Sequence, residues 1–306
     1  MYTLVSIVVL TWNGKPLLKE NLPSIIEAAS FHHKDNEIIV VDNGSSDETA
    51  EMITRSFPKI RLIRLETNCS VGYAFNIGIK ACRHSIVIIL ANDVRVTHNF
   101  LSPLVRHFSD PNIFAVNTLS LGEDAEREKK PVSLSFLPYP GHAAYSKKKL
   151  ELLGGFHPLY APFYFEDRDL GHRAWKRGWP TLVEPESIIF HKGEATIKKM
   201  HRPSVEKIKF RNRLFFFLTC HDKATTMIFP IGAAILQAIL SFRWYLLSSL
   251  VTVVARRKEI IAKREEDIPF WIFSDRKIAR IIETKQPEER RERFDGTRVS
   301  NVHFEP

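Results

Sequence analysis

The 306-residue sequence has few cysteines, no start typical of a secreted protein and no long uninterrupted apolar run. Its three cysteines, Cys69, Cys82 and Cys220, form no CxxC pair and no even disulfide framework, which favours a reducing compartment. The N-terminus lacks the positive charge of a signal peptide and passes directly into a strand pattern. These absences predict a protein with cytoplasmic orientation.

The longest apolar stretch is divided by Pro230 and Arg243 into runs 228–242 and 244–254, of 15 and 11 residues. A spanning helix needs about 20 apolar residues, so we expect interfacial helices here. Residues 1–200 contain 24 Lys and Arg against 22 Asp and Glu, and residues 201–306 contain 20 against 13. The basic excess therefore lies beside these runs, which predicts contact with an anionic membrane surface and not with nucleic acid.

Two alternatives for the apolar runs stay open at this point. They would form a soluble helical hairpin packed on the rest of the protein, or a spanning segment that tolerates Arg243.

Apolar strands alternate with amphipathic helices over the first hundred residues. The predicted strands are 5–10, 37–41, 60–65 and 85–90, and the predicted helices are 17–29, 49–57, 71–82 and 100–108. Strands of near-continuous Val, Ile and Leu are buried on both faces, so we predict a doubly wound α/β fold with a mostly parallel central sheet.

Carboxylates follow three of the apolar stretches. Asp42 comes directly after 38–41, Asp93 shortly after 86–90, and the sequence Glu-Asp-Arg-Asp at 166–169 after 161–165. Open α/β sheets bind ligands beyond the carboxyl ends of their strands, so this pattern indicates an enzyme. For the last group, stabilisation of a helix start and an Asp169–Arg173 pair form the structural alternative.

The composition divides the chain into three predicted parts. Residues 1–200 form the catalytic α/β unit, 201–286 a basic and apolar helical region that associates with a membrane, and 287–306 a polar tail that is disordered in part. The mixed-charge stretch 122–130 is predicted as an exposed loop.

Seven short segments, taken in order, resemble the family 2 glycosyltransferases. They are SIVVLTWN at 6–13, VVDNGSSD at 40–47, GYAFNIG at 72–78, LANDV at 90–94, GGF at 154–156, FEDRDL at 165–170 and HKG at 191–193. The resemblance covers about residues 4–220. Within the family, the sequence is most similar to the bacterial branch that contains rhamnosyltransferases. It implies a GT-A fold, a nucleoside-diphosphate sugar donor, and a glycan or lipid-linked acceptor used in bacterial surface polysaccharide synthesis.

The resemblance also implies a donor site. Asp42 would accept a hydrogen bond from the nucleobase, typically the imino N–H of uracil or thymine, and an Asx turn at this residue is compatible with that role. The other predicted nucleotide-sugar-binding residues are Thr11, Asn13, Asn68, Gly72, Asn76, Asn92 and Asp93. An ordinary turn or helix cap is the structural alternative for Thr11, Asn13 and Gly72.

Asp93 matches the last acid of the family's DxD-like metal motif, whereas the position of the first acid is Ala91. The resemblance implies Mg²⁺ or Mn²⁺ held by Asp93, the donor diphosphate and His191. A lone histidine is more often structural, but its position after the last core strand favours a ligand role.

Asp167 aligns with the general base of the family. It would remove the proton of the acceptor hydroxyl, whose oxygen then displaces the nucleoside diphosphate with inversion at the anomeric carbon. The predicted supporting residues of the acceptor site are Glu166, Asp169, Gly154, Gly155 and Phe165. The aromatic residues before the acids would partly desolvate Asp167 and raise its basicity.

Two other functions stay under consideration. A non-catalytic nucleotide-sugar-binding or assembly protein with the same fold would have lost metal capture through Ala91. A nucleotidyltransferase is disfavoured because no glycine- and lysine-rich triphosphate loop follows the first strand. The leading prediction is a transferase peripheral to the inner face of the cell membrane, with its oligomeric state left open.

Overall fold

The computed structural model describes residues 3–122, 130–191, 201–222 and 228–284, without the side chains of 228–230 and 238. Most of the predicted loop 122–130, the predicted boundary near residue 200 and the predicted polar tail 287–306 lie outside the described residues.

A nine-stranded mixed sheet forms the centre of the protein, in the order β3-β2-β1-β4-β8-β6-β9-β5, with β7 also paired to β9. The strands are β1 (Val5–Thr11), β2 (Glu37–Asp42), β3 (Arg61–Arg64), β4 (Ile86–Ala91), β5 (Val94–Val96), β6 (Ala115–Leu121), β7 (Ser133–Ser135), β8 (His142–Ser146) and β9 (Thr181–His191).

Six of these strands run in one direction, namely β1, β2, β3, β4, β6 and β9. The pairings of β5, β7 and β8 are antiparallel, so the predicted mostly parallel sheet is interrupted by three reversed strands. Because the six strands share a direction, their carboxyl ends meet at one edge of the sheet, and β8 begins at that same edge opposite Leu90.

The helices of the α/β unit follow the strands as the apolar periodicity predicts. They are α1 (Lys15–His32), α2 (Thr49–Ser56), α3 (Val71–Ala81), α4 (Leu101–Val105), α5 (Lys147–Leu152) and α6 (Glu166–Lys176). Short 3₁₀ turns follow at Arg106–Ser109 and Pro158–Tyr160.

The strands are apolar on both faces because helices cover both sides of the sheet. On β1, the side chains of Val5, Ile7 and Val9 pack into one cluster with α1 and α4, while Val8 packs into a second cluster with α3 and α6. Consecutive side chains of a strand point to opposite faces, so a continuous apolar run is what two covered faces require.

The C-terminal helices are α7 (Arg202–Cys220), α8 (Ile228–Leu240), α9 (Ser248–Ala255), α10 (Arg257–Asp267) and α11 (Asp275–Thr284), with 3₁₀ turns at Trp244–Leu247 and Ile268–Phe270. Phe215 of α7 and Ile260 of α10 join one apolar cluster with Phe165, while Ile278 of α11 packs on Trp175 of α6. These three helices therefore pack on the α/β unit, and α8 and the 3₁₀ turn after it pack on α7.

The apolar stretch is divided where the sequence predicts. Helix α8 ends before Arg243, and the second run forms the 3₁₀ turn and α9. Across residues 3–122, 130–191, 201–222 and 228–284, none of the helices combines the length and apolarity needed to cross a bilayer.

Candidate active site at the carboxyl edge of the sheet

The loops after β1 and β2 are fastened to each other. Asn13, with a left-handed φ of 47°, donates its backbone N–H to Ser45 Oγ at 2.8 Å and accepts from the N–H of Ser46 at 2.8 Å. Thr11 is buried at the end of β1, and its Oγ1 accepts a hydrogen bond of 2.9 Å from Asn92. Of the residues predicted to bind the sugar nucleotide, Thr11 is thus bonded to Asn92, and Asn13 to the loop after β2.

Asp42 is fully buried at the end of β2, and its two carboxylate oxygens have different surroundings. Oδ1 accepts the backbone N–H of Ser45 at 3.0 Å, three residues on, whereas the predicted Asx turn would bond two residues on. Oδ2 is buried and has no hydrogen-bond partner within the described part of the chain. A buried carboxylate oxygen without a donor is costly, so this atom fits an N–H or O–H of a ligand.

A cavity of about 360 Å³ is lined by Gly44, Ser45, Arg64, Leu65 and Glu66. Two of these residues, Ser45 and Leu65, donate their backbone N–H groups to Asp42. Gly44 has φ of +74°, and a β-carbon there would lie 2.5 Å from the backbone carbon of Thr67. The glycine therefore lets the loop after β2 approach the loop after β3.

The loop after β3 is held by Asn43. Its Nδ2 donates to the carbonyl of Cys69 at 2.9 Å, and its Oδ1 accepts the N–H of the same residue at 2.9 Å. A longer contact of 3.4 Å joins Asn43 to the exposed Asn68. We refer to the residues 11–14, 42–48, 65–70 and 92–93 together as the strand-end loops.

Asp93 and His191 come from different strands but meet at the edge. His191 Nε2 lies 3.1 Å from Asp93 Oδ1, because β5 pairs Val94 with His191. A second imidazole ring, that of His142, has its centroid 5.8 Å from the ring of His191. Burial and the nearby His191 lower the pKa of His142 to about 4, so this imidazole is neutral at pH 7.

The carboxylate and imidazole of this pair are suitable ligands for Mn²⁺, and a carboxylate is suitable for Mg²⁺. In the parts of the chain that the structure describes, His, Cys, Asp and Glu form no group of three with metal-binding geometry. The residues therefore fit a cation only together with ligands from a bound substrate and water.

Glu166 and Asp167, which we call the acid pair, begin α6 at the same edge. Gly72 at the start of α3 lies so close that its β-carbon would be 3.0 Å from Phe156 and 3.9 Å from Glu166. Glu166 is 6% exposed and Asp167 is partly exposed. Burial, and then the charge of Asp167, raise the pKa of Glu166 to about 8, and burial raises the pKa of Asp167.

The acid pair shares its surroundings with a buried tyrosine. Tyr145 on β8 is fully buried, and burial followed by the charges of Asp167 and Glu166 raises the pKa of its hydroxyl. Neither the Tyr145 hydroxyl nor Glu166 Oε2 has a hydrogen-bond partner among the described residues. Because its pKa lies near 8, Glu166 holds a proton at pH 7, which lets Asp167 ionise without a second negative charge beside it.

Asp169 follows two positions later and has the opposite environment. It is fully buried between Arg173 Nε at 2.8 Å and Lys263 Nζ of α10 at 2.6 Å. Burial alone would raise its pKa, but the charges of Arg173 and Lys263 outweigh burial and hold the pKa of Asp169 well below its usual range. The predicted Asp169–Arg173 pair is confirmed. The second cation that contacts Asp169, Lys263, lies outside the predicted catalytic unit 1–200.

The Gly154–Gly155 turn contacts residues that the sequence assigned to two different roles. Both glycines have positive φ, near +70°, and Arg173 Nη2 donates to the carbonyl of Gly155 at 2.8 Å. Asn76 donates to the carbonyl of Phe156 at 2.8 Å and accepts its N–H at 2.9 Å. Both polar atoms of Asn76 are thus bound to this turn. Each bond uses one of the two N–H donors or one of the two oxygen lone pairs of the amide, so the predicted contact with the sugar nucleotide stays a prediction.

Sequence reasoning missed several residues of this region. His142 and Tyr145 lie on β8, in a Pro- and Gly-rich stretch where only irregular strands are expected, and no local pattern marks them. Asn43 and Ser45 belong to a recognised turn, but their hydrogen bonds to other loops are set by strand order. Lys263 lies in a basic helix that carries no sign of its buried partner.

The family model for glycosyl transferase family 2 matches residues 6–170 of the chain. A curated relative, the poly-beta-1,6-N-acetyl-D-glucosamine synthase of Staphylococcus epidermidis, is 25% identical over 165 residues, which are 52% of this chain. The chain spans about two fifths of the length of that relative, whose aligned part is 38%.

Three solved structures share the fold at lower identity. One is GalNAc-T7 with UDP, GalNAc and Mn²⁺, with a TM-score of 0.58, 18% identity and coverage of 73% of this chain and 49% of that one. Another is the mannosyltransferase PcManGT of Pyrobaculum calidifontis with GDP-Man and Mn²⁺. Its TM-score is 0.56 at 22% identity, and the match covers 83% of this chain and 75% of that one. The third is S. aureus TarS 1-349 with UDP-GlcNAc. Its TM-score is 0.54 at 16% identity, and the match covers 73% of this chain and 69% of that one.

Proposed function

Because this chain belongs to glycosyl transferase family 2, we propose that it transfers a sugar from a nucleoside-diphosphate donor to a hydroxyl of a glycan or lipid-linked acceptor. The observation that carries this proposal is the placement of the acid pair at the same sheet edge as the unsatisfied Asp42 oxygen and the Asp93–His191 pair. One edge thereby offers a nucleobase acceptor, ligands for a diphosphate-bound cation and a base.

The donor is proposed to bind across the strand-end loops, with its nucleobase in the cavity beside Asp42. Since Oδ1 of Asp42 already accepts the Ser45 N–H, Oδ2 is the atom available to accept a hydrogen bond from the nucleobase. A single available oxygen suits the one imino N–H of uracil or thymine better than the two adjacent donors of guanine. The structural neighbours include both UDP-bound and GDP-Man-bound proteins, so this preference rests on the Asp42 oxygen alone.

Asp93 and His191 are proposed to hold Mg²⁺ or Mn²⁺ with the donor diphosphate, as the Mn²⁺ complexes of two structural neighbours suggest. When bound, the cation would neutralise charge that develops on the leaving diphosphate. The 3.1 Å contact between the two side chains supports this assignment, because it brings a carboxylate and an imidazole within reach of one cation.

Asp167 is proposed as the base. It is the more exposed member of the acid pair and is therefore accessible to an acceptor, whereas Glu166 is buried and protonated. Asp167 takes the proton of the acceptor hydroxyl, the oxygen attacks the anomeric carbon, and the nucleoside diphosphate leaves in a single displacement with inversion. We place Asn76, Gly154, Gly155 and Phe165 in the support of the acceptor site, and Gly72 in the packing that joins the two sites.

The test is a panel of nucleotide sugars with and without Mn²⁺, read both by thermal stability and by release of nucleoside diphosphate. Ligand at 100 times its dissociation constant adds about 2.7 kcal/mol to the folded state. We expect one donor class to stabilise the protein and to be turned over when an acceptor is present. Stabilisation without turnover across the panel would favour the alternative, a nucleotide-sugar-binding or assembly protein with this fold.

A role in bacterial surface polysaccharide synthesis at the inner face of the membrane is also proposed, within the branch that contains rhamnosyltransferases. The curated polysaccharide synthase supports a polymer product. The end of α8 and the segment that follows it expose large apolar side chains, including Leu240 at 69%, Phe242 at 82% and Trp244 at 55%, next to the half-exposed Arg243. Apolar and basic groups together favour an anionic lipid surface.

Vesicle sedimentation tests the lipid contact. We expect binding to vesicles with anionic lipid, weaker binding at high salt, and loss of binding when Leu240 and Phe242 are both changed to Ser. Phe31→Ser is the matched control, since Phe31 is 57% exposed on α1 at the opposite edge of the sheet. Equal loss in both variants, or equal binding to neutral vesicles, would contradict a specific lipid-facing segment.

A further inference from the structure

The loop directly before the acid pair is hydrogen-bonded to α7, a helix that lies after residues 6–170, the part of the chain that the family model matches. The amide of Asn212, in the middle of α7, donates to three carbonyls of this loop: Tyr160 at 2.8 Å, Phe163 at 3.0 Å and Tyr164 at 2.9 Å. Asn212 is fully buried. Three backbone acceptors thus share one NH₂ group, and the loop ends at Phe165, directly before Glu166.

The loop has a backbone conformation that needs such support. Tyr164 and Phe165 have φ of 71° and 74°, in the left-handed region that bulky side chains rarely occupy. Phe165 is also the N-cap residue directly before α6, so the turn sets the direction of the first helical residues. Consecutive left-handed residues persist only where surrounding contacts hold them.

A second side chain fixes the orientation of the amide. Arg211 donates from Nε at 3.0 Å and from Nη2 at 2.9 Å to Asn212 Oδ1, and Nη2 also donates to the carbonyl of Ala161. With its oxygen engaged by a cation, the Asn212 amide must present its NH₂ group to the loop. Arg211 thus orients Asn212, and Asn212 holds the carbonyls of the loop that leads into the acid pair.

We propose that Asn212 is a positioning residue for the general base, oriented by Arg211, and that α7 is required for an aligned catalytic site. The inference rests on the proposed function, in which Asp167 is the base. Among the described residues, the side-chain hydrogen bonds of the fully buried Asn212 go to backbone carbonyls of the loop and to Arg211. We therefore infer that it acts through the direction of the turn and not through contact with substrate.

The primary experiment compares Asn212→Ala and Asn212→Asp with the full-length wild type. Aspartate keeps the acceptor for Arg211 and loses the donor to the loop, so both variants should show the same defect. We expect kcat to fall at least about 10-fold with the KM for the donor unchanged within about twofold, because misplacement of a reacting group costs rate and leaves the distant donor contacts intact. Wild-type kcat in a folded Asn212→Ala protein would overturn the proposal.

Asn36→Ala is the matched control. Asn36 also clamps backbone, accepting the N–H of Val5 at 2.9 Å and donating to the carbonyl of Ala29 at 2.9 Å, but at the opposite edge of the sheet. We expect this variant to lose thermal stability and keep its kcat. A similar fall in kcat for Asn36→Ala would mean that general destabilisation explains the effect.

The pH profile gives a readout that a purely structural role would not move. Burial raises the pKa of Asp167, and a loosened turn admits water, so the acidic limb of kcat should shift to lower pH in Asn212→Ala. An unshifted limb together with a lowered kcat would contradict altered positioning of the base. If Asn212→Ala does not fold, the milder Arg211→Gln variant is expected to show the same changes at smaller size, and wild-type behaviour there would reject the proposal.

Amide hydrogen exchange separates this inference from the proposed function. Faster exchange of peptides covering 158–168 in Asn212→Ala, with unchanged exchange in β1 and β2, needs no substrate and is expected. If the wild type turns over no donor but this exchange pattern is found, the proposed function fails and the positioning of the loop stands. Unchanged exchange in 158–168 would reject the positioning role even where transfer is measured.

Discussion

The strand-end loops and the acid pair lie at one edge of the sheet but are held by different interactions. The loops are joined by hydrogen bonds of Asn13, Asn43 and Asn92, all within the first hundred residues. Helix α6 is held by buried charges and by α7, through Lys263 and Asn212. One side of the site is thus built by neighbouring strands, and the other depends on the C-terminal helices.

This difference has a consequence for how the two sides respond to change. Hydrogen bonds between neutral loops are individually modest, whereas removal of one partner of a buried ion pair leaves a charge without compensation. Changes on the loop side should therefore weaken donor binding, while changes around α6 should alter stability and the chemical step.

The largest expected effect separates the base from binding. Asp167→Asn should lower the transfer rate by about 10²–10⁴-fold, since the amide cannot accept the acceptor proton, and should leave donor affinity nearly unchanged. Transfer kinetics and calorimetric titration of the donor check both parts. Glu186→Gln, at an exposed carboxylate paired with Arg106, is the control and should retain turnover. Retained turnover in Asp167→Asn would remove this residue from the base role.

The next effect concerns the buried ion pair of the acid side. Lys263→Met leaves Asp169 short of one cation and should lower the free energy of unfolding by about 3–5 kcal/mol, measured by urea denaturation. Because the pKa of Asp169 is held below its usual range, this contribution is present above about pH 4 and is lost as the pH falls below that value.

The gap between wild type and Lys263→Met should therefore narrow in acid. Glu151→Gln, at a 60% exposed carboxylate paired with Lys147, should change stability little at any pH. A Lys263 variant as stable as the wild type would show that the buried ion pair between α10 and α6 is not needed to hold α6.

The loop side is tested by Asp42→Asn. The change replaces a charged acceptor with an amide at the buried Oδ2 position, and we expect donor affinity to fall by about 10- to 150-fold, the value of a hydrogen bond to a charged group. Dissociation constants from calorimetry check this, with kcat at saturating donor expected to change much less. A fall in kcat with unchanged affinity would place Asp42 outside the nucleobase site.

The smallest expected effect is a change in pH dependence. Asp167 must be ionised to act, so activity rises with pH through the raised pKa of the acid pair. Because Glu166 keeps its proton while Asp167 ionises, Glu166→Gln should leave the acidic limb of kcat/KM nearly in place and remove the second titration near pH 8. The profile between about pH 5 and 9 measures this, and an acidic limb that moves to lower pH would contradict the protonated state of Glu166.

Much of the fold followed from local pattern. The strands and helices up to α3 agree with prediction within a few residues, because apolar runs and turn residues determine them locally. The insertion of β8 between β4 and β6, and its reversed direction, was not predictable, since the 131–145 stretch has no clear period. That insertion brings His142 and Tyr145 to the site.

The candidate site divides in the same way. The pair Asp169–Arg173 is local, and the sequence predicted it. The contact of Asp42 with Ser45 is local too, but it reaches one residue beyond the predicted Asx turn. The bond between Asn76 and the Gly154–Gly155–Phe156 turn, and the packing of 201–284 on α6, depend on which elements become neighbours in the folded chain.

The sequence by itself determined where carboxylates stand relative to the strands, because strand ends follow from the local apolar pattern. Only the tertiary structure decided what each carboxylate does there. Ionisation depends on burial and on nearby charges, and these come from distant parts of the chain. Glu166 is buried without a cation and holds a proton, whereas Asp169 in the same helical turn keeps its charge because Lys263 reaches it from α10.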